Sequence, residues 1–156
     1  MTALAAVPFA PPEPEARWVL CRCGGRGLAL PLAGVREITT PLPATRVPGC
    51  GEEVYGLIGL RGRVVTVFDL GAAFARRASA LRPDHRLLLL EWDGRVIGAA
   101  VDEVLTVADA HAEPGPFEGL HALPGLAPDD LIGTCAVGGE RYLAVATERV
   151  LERLLS

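Results

Sequence analysis

Hydrophobic and polar positions along this chain fall into a pattern that repeats. Arg17–Cys23 is an apolar-rich run, Gly24-Gly25 interrupts it, and Arg26–Leu32 is a second run. The same order recurs as Arg86–Trp92, Asp93-Gly94, Arg95–Val101, and again as Leu131–Val137, Gly138-Gly139, Glu140–Thr147. Each unit predicts a β-hairpin, because Gly-Gly and Asp-Gly supply the positive φ angles that a two-residue type I′ turn demands. A fourth hairpin is predicted where Leu57–Leu60 turns at Arg61-Gly62 into Val64–Phe68.

Four hairpins in one short chain predict an all-β fold of small barrels or a sandwich. Leu87–Leu90 is apolar without alternation, which predicts a strand buried on both faces. Along Val64–Phe68, both faces are again mostly apolar: Val64, Thr66 and Phe68 on one, Val65 and Val67 on the other. Two layers sharing one core would bury both. Helix is expected only over Leu70–Arg77, with Asp69 as N-cap, and over Glu148–Leu155, with Thr147 as cap. Pro- and Gly-rich connectors occupy Pro41–Gly51 and His111–Asp129, the second long for a plain connection.

The 156 residues suit a domain of ordinary size, and half of them are hydrophobic, enough for a substantial core. Residues 1–15 are expected to form a flexible, Pro-rich tail and residues 16–156 the folded domain. All 15 basic residues are Arg, and the net charge is −4, so nothing resembles the basic stripe that nucleic acid requires. No secretory signal and no apolar run of spanning length is evident, so a cytoplasmic protein without membrane insertion is expected.

Candidate chemistry is thin. Ser79 and Ser156 lie in no nucleophile elbow. Asp102-Glu103 follows a strand and Asp129-Asp130 follows Pro128, places where Asp accepts turn amides rather than protons from a substrate. Cys21-x-Cys23 puts two thiols on one strand face, but Cys50, Cys135 and the histidines at 85, 111 and 121 do not complete a zinc pattern. No catalytic residue, metal or cofactor is expected. A binding module is favoured over an enzyme, with a thiol- or metal-dependent enzyme as the remote alternative.

Three ordered blocks carry a more specific signal. Gly56–Leu70, GLIGLRGRVVTVFDL, resembles the core signature G-x-x-N-L-R-G-x-x-x-P-V-x-D-L of the CheW-like domain family. Val35-Arg36-Glu37-Ile38 is similar to its V-x-E-I segment, and Gly98–Val104 to its G-x-x-V-D-x-V segment. The resemblance implies two five-stranded, SH3-like β-barrels around a common hydrophobic core, with short helices after the fifth strand and at the C-terminus. It also implies an adaptor that bridges chemoreceptor cytoplasmic tips and the regulatory domain of a CheA-type histidine kinase in an array, with other CheW-like proteins as further partners.

By the same resemblance, Arg61 stands at the signature arginine tied to coupling. Val35 and Glu37 match the receptor-facing segment, Gly56 a glycine beside that groove, and Val107 a valine beyond the V-D block. Arg63 adds a second charge at the tip, and Asp69 and Asp102 match aspartates with a structural part. Gly59 replaces the signature Asn and Thr66 the Pro, and the usual Asp before the last helix is missing at Val145–Glu148. These departures make a specialised relative the alternative, one that binds a single partner in a gliding, pilus or other chemosensory pathway.

Overall fold

Each of the four two-residue turns joins a pair of antiparallel strands, and at each both turn residues take positive φ. The computed structural model describes residues 15–80, 82–115, 117, 120 and 123–155. In these, β1 (Glu15–Cys23), β2 (Arg26–Pro31), β3 (Val35–Thr39), β4 (Val54–Leu60) and β5 (Arg63–Asp69) lead into α1 (Leu70–Ala75). Then β6 (Arg86–Trp92), β7 (Arg95–Val101), β8 (Glu103–Glu113), β9 (Leu131–Val137) and β10 (Glu140–Val145) lead into α2 (Thr147–Leu155). The tail expected over residues 1–15 lies outside the described residues, apart from Glu15, where β1 begins.

The strands form two five-stranded units. One is a closed barrel of order β1-β2-β10-β9-β8; the other is ordered β3-β6-β7-β5-β4. The second closes through Thr45, which follows β3 and exchanges both backbone bonds with Leu57 of β4, at 2.8 and 2.9 Å. The expected pair of SH3-like barrels is therefore present. Each barrel takes one hairpin from the opposite half of the chain: β1–β2 completes the barrel of β8–β10, and β6–β7 completes that of β3–β5.

The two barrels are built on one plan. The pair Ile38↔Leu88 in the second barrel is matched by Val107↔Val19 in the first, and Glu37↔Leu89 by Thr106↔Leu20. The parallel contact Val67↔Gly98 is matched by Ala144↔Ala29. Even the irregularities correspond: β3 and β8 each skip one residue at the same step, between Val35 and Glu37 and between Val104 and Thr106. Hydrophobic pattern selects the strands, and shared turn geometry fixes their register.

Apolar side chains partition into three cores. Trp18, Leu20, Ala29, Cys135, Tyr142 and Ala144 fill the first barrel, and Ile58, Val65, Val67, Leu87 and Ala100 the second. Between the barrels lies the largest core, where Cys21, Leu28, Leu30 and Leu143 meet Phe68, Leu88, Leu90, Ile97 and Val101. This explains the unbroken apolar run of β6: Leu87 faces into its barrel while Leu88 and Leu90 face the shared core. The long connector after β8 covers that core rather than crossing solvent. Its Leu123 and Leu126 are buried there, Gly125 donates its amide to Phe74 at 2.7 Å, and the Arg153 guanidinium donates to Gly125 at 2.9 Å.

Two local expectations are met and two are corrected. Asp69 caps α1, its Oδ1 accepting from the Ala72 amide at 3.0 Å and its Oδ2 from the Ser79 hydroxyl at 2.9 Å. Asp102 accepts a turn amide, that of Gly24 at 2.9 Å, and so ties the β1–β2 turn to β7's end. Thr147, however, does not cap α2: it is the first helical residue, and its Oγ1 is buried without a partner. The chain is held there instead by the Ala146 amide, which donates to Asp130 at 2.7 Å. Val64 is not in a core: it is 74 % exposed, because the shared core reaches only the base of β5, at Phe68.

Candidate functional site: the mouth of the second barrel

The β4–β5 hairpin and the edge strand β3 bring together two of the residues singled out above. Arg61 occupies the first turn position, and its guanidinium donates to Glu37 Oε1 at 2.8 Å. Glu37 lies 24 residues upstream. The loss of register after Val35 turns Glu37 toward the barrel mouth, while Val35 itself packs on the shared core. The ion pair spans the two edges of the second sheet, β3 and the tip of β4–β5. Both partners meet solvent, with 70 % of the Arg61 side chain and 36 % of the Glu37 side chain exposed.

Arg61 has φ +49°, in the left-handed region that costs a residue with a Cβ roughly 1–2 kcal/mol. At the same turn position the other hairpins carry Gly24, Asp93 and Gly138. Gly and Asp are the residues that accept this conformation readily; arginine is not.

Gly56 serves the site from beneath. It lies at a bulge in β4 with φ +147°, and a Cβ there would come within 2.6 Å of the Thr45 carbonyl oxygen. A glycine is therefore needed to let the chain after β3 close the barrel. Its counterpart in the other barrel is Gly133, tighter still against the Glu113 carbonyl. Arg63 is exposed beside the tip and makes no ion pair among the described residues. Val107 belongs to β8 in the other barrel, 36 % exposed, at the position equivalent to Ile38, 37 % exposed. The structure thus joins Glu37 and Arg61, places Arg63 and Gly56 on the same hairpin, and puts Val107 on the other barrel.

Two residues of the hairpin that the sequence reading named, Gly59 for the missing Asn and Val64 as a core position, face outward. Gly59 pairs with Val64, and nothing lies within 4 Å of where a Gly59 Cβ would stand. Apolar character on both faces of β5 gave no signal that one end of one face is bare.

The remaining chemistry-bearing groups are occupied elsewhere. Cys21, Cys23 and Cys135 are buried free thiols and Cys50 is exposed. The neighbouring Cys21 thiol, with burial, holds Cys23 well above the usual thiol range, and burial pushes Cys135 up to about 11. Such thiols are packing groups, since the reactive form is the thiolate. A cavity of about 490 Å3 opens at the seam of the barrels, walled by Pro31, Leu90, Leu131, Ile132 and Leu151.

Comparison with known proteins gives one consistent picture. The profile of the CheW-like domain matches residues 17–154. A protein named chemotaxis protein CheW from Rhizobium meliloti is 33% identical over 98 residues, 61% of this chain and 63% of that protein. Its namesake in Klebsiella aerogenes is 28% identical over 131 residues, 82% of this chain and 76% of that protein. Protein PilI of Pseudomonas aeruginosa is 34% identical over 83 residues, 53% of this chain and 47% of that protein. The match to the Rhizobium meliloti protein thus spans less than two thirds of that protein's length. The crystal structure of scaffolding protein TtCheW from Thermoanaerobacter tengcongensis has the same fold, with a TM-score of 0.70 at 22% identity, over 87% of this chain and 86% of that one.

Proposed function

Because this chain belongs to the CheW-like domain family, we propose that it is a non-catalytic adaptor of a cytoplasmic chemosensory array. It joins the cytoplasmic tip of a methyl-accepting chemoreceptor to the regulatory domain of a CheA-type histidine kinase, and neighbouring CheW-like proteins extend the lattice. Arg61, Glu37 and Arg63 form the charged part of its partner surface, Val35 and Gly56 support that part from below, and Val107 contributes from the other barrel.

The observation that carries this reading is the conformation of Arg61. A residue held in a left-handed turn, where glycine is easier, is retained for what its side chain does. The guanidinium is largely exposed and offers donors that Glu37 leaves free for a partner's carboxylates and carbonyls. The seam between the barrels, with its apolar walls, is suited to lie along a helix. The test is a mixing experiment in which the chain, a receptor-tip fragment and the kinase regulatory domain are combined and complexes are separated by size. Binding to both partners is expected; binding to neither refutes the proposal.

A second reading has its own support. The similarity to protein PilI and the loss of the signature Asn and Pro at Gly59 and Thr66 favour an adaptor for a different chemosensory pathway, holding one partner only. In the same mixing experiment this variant yields a single binary complex.

A further inference from the structure

In the first barrel, the place where β2 meets β10 carries an unusual pair of side chains. That ladder is parallel and pairs Leu143 with Leu28 and Ala144 with Ala29. Toward the turns it continues past Gly27, where a Cβ would come within 2.8 Å of the Tyr142 ring. One step further on, the same register sets Arg26 beside Arg141. Leu28 and Leu143 face the shared core. Arg26 and Arg141, two residues earlier on each strand, therefore take the same face and stand at the rim of that core. Their partners on the flanking strands, Cys23 of β1 and Ala136 of β9, bring no charge.

Both arginines are exposed, and neither makes an ion pair among the described residues. Carboxylates at this end of the barrel are engaged elsewhere: Glu103 and Glu140 by Arg22 on the other face of the sheet, Asp102 by the Gly24 amide and Arg77. Like charges side by side on neighbouring strands, about 4.8 Å apart, repel. The second barrel does without such a pair. There Val67↔Gly98 corresponds to Ala144↔Ala29, so the counterparts of Arg141 and Arg26 are Val64 and Arg95. Only one of these is charged, and it lies over the Trp92 ring at 5.4 Å. The barrel plan itself thus has no need of two arginines at this place, and on a chain of net charge −4 they form a local positive point without a counter-ion.

We propose that Arg26 and Arg141 form an oxyanion site on the first barrel, one that takes a phosphate group. Two neighbouring guanidiniums present planar forks of N–H donors to a single tetrahedral dianion, which accepts from both and cancels the repulsion between them. The chemistry recognised is the phosphate group itself, carried by free inorganic phosphate or by a nucleotide. The site lies on the other barrel from Arg61 and does not rest on the adaptor reading.

The test uses the full chain at constant ionic strength, with chloride exchanged for inorganic phosphate or, in parallel, for ADP. Affinity is read by titration calorimetry and the melting temperature by scanning calorimetry. An anion that binds only the folded chain raises the melting temperature as its concentration rises. Arg26→Gln and Arg141→Gln are each expected to weaken binding about tenfold and to abolish that rise. Without the anion, each variant should melt no lower than wild type, since one of two repelling charges is gone. Arg46→Gln replaces another exposed arginine without an ion pair among the described residues, on the connector before β4, and should respond as wild type does. A stronger response to ADP than to inorganic phosphate identifies a nucleotide as the source, and an equal or weaker one identifies the free ion; both support the site. A wild-type chain indifferent to both anions overturns the inference. So does an undiminished response in Arg26→Gln and Arg141→Gln, or an equal loss in Arg46→Gln. Variants that melt lower than wild type in the absence of the anion also overturn it, because the two arginines then serve the fold.

Discussion

If Arg61 is kept for recognition, then its removal must hurt binding far more than stability, and the structure sets the scale. Arg61→Ala loses the pair with Glu37. With 70 % and 36 % of the two side chains exposed, that pair is worth about 0.2–1 kcal/mol, not the larger value of a buried one. The alanine keeps the left-handed turn and its cost of roughly 1–2 kcal/mol. Arg61→Gly loses the same pair but removes that cost, offset in part by the greater freedom of glycine in the unfolded chain, roughly 0.5–1 kcal/mol. The glycine variant should therefore be at least as stable as the alanine variant, and both should lie within about 1 kcal/mol of wild type. Urea denaturation followed by intrinsic tryptophan fluorescence measures this. The signal comes from Trp18, fully buried in the first barrel, and from Trp92, half-buried at the end of β6, and reports the cooperative transition. Pairing each variant with Glu37→Gln completes a double-mutant cycle whose coupling energy should not exceed about 1 kcal/mol. Receptor-fragment affinity should fall at least tenfold in both variants, in line with an arginine hot spot. A loss of more than about 2 kcal/mol in Arg61→Ala, or an alanine variant more stable than the glycine one, would show that Arg61 holds the barrel closed and that the conformational argument is wrong.

Other outcomes follow from the same geometry. Gly56→Ala forces a Cβ to within 2.6 Å of the Thr45 oxygen at positive φ, and should cost about 3 kcal/mol and soften barrel closure, read as a lower urea midpoint. Asp69→Ala strips a buried carboxylate from the Ala72 amide, the Ser79 hydroxyl and the Ala80 amide; a loss of about 3 kcal/mol is expected, and Asp69→Asn should recover part of it. Of the four cysteines, Cys50 alone should react quickly with a thiol reagent in the native protein, and all four in urea. Raising the pH toward 9 should leave Cys23 and Cys135 unreactive, because the burial that excludes the reagent also keeps those two protonated. Rapid loss of more than one thiol in the folded state contradicts the placement of Cys21 and Cys23 in the shared core.

The hairpins were legible because turn chemistry is local: Gly-Gly, Asp-Gly and Arg-Gly mark each reversal, and the apolar runs mark the strands. Leu87–Leu90 announced a two-sided strand for the same reason. What the pattern could not convey is partnership. Nothing in the run Arg17–Leu32 says that it pairs with β8 and β10 rather than with its sequence neighbour β3, since backbone ladders carry no address. The meeting of Glu37 and Arg61 likewise depends on a register step inside β3 that composition does not display. Val64 misled because apolar residues on both faces of a strand imply burial on both, whereas the shared core ends near Phe68. Thr147 misled because a threonine just before an apolar helical run has the capping pattern, yet here it stands already inside the first turn. The connector after β8 did contain its signal, leucines at 120, 123 and 126, which the structure turns inward.

The path of the chain between the two barrels has a mechanical consequence. Because the chain passes between the barrels only through Leu32–Gly34 and Asp102, and because the largest core lies between them, no long linker separates the barrels, and swinging one relative to the other would open that core. A small displacement imposed at the mouth of the second barrel is carried to the outer face of β8 as a rigid tilt instead of being absorbed in a linker. The chain is in effect a strut with its two ends cast in one piece, and the distance between the outer faces of its two barrels is fixed by the fold.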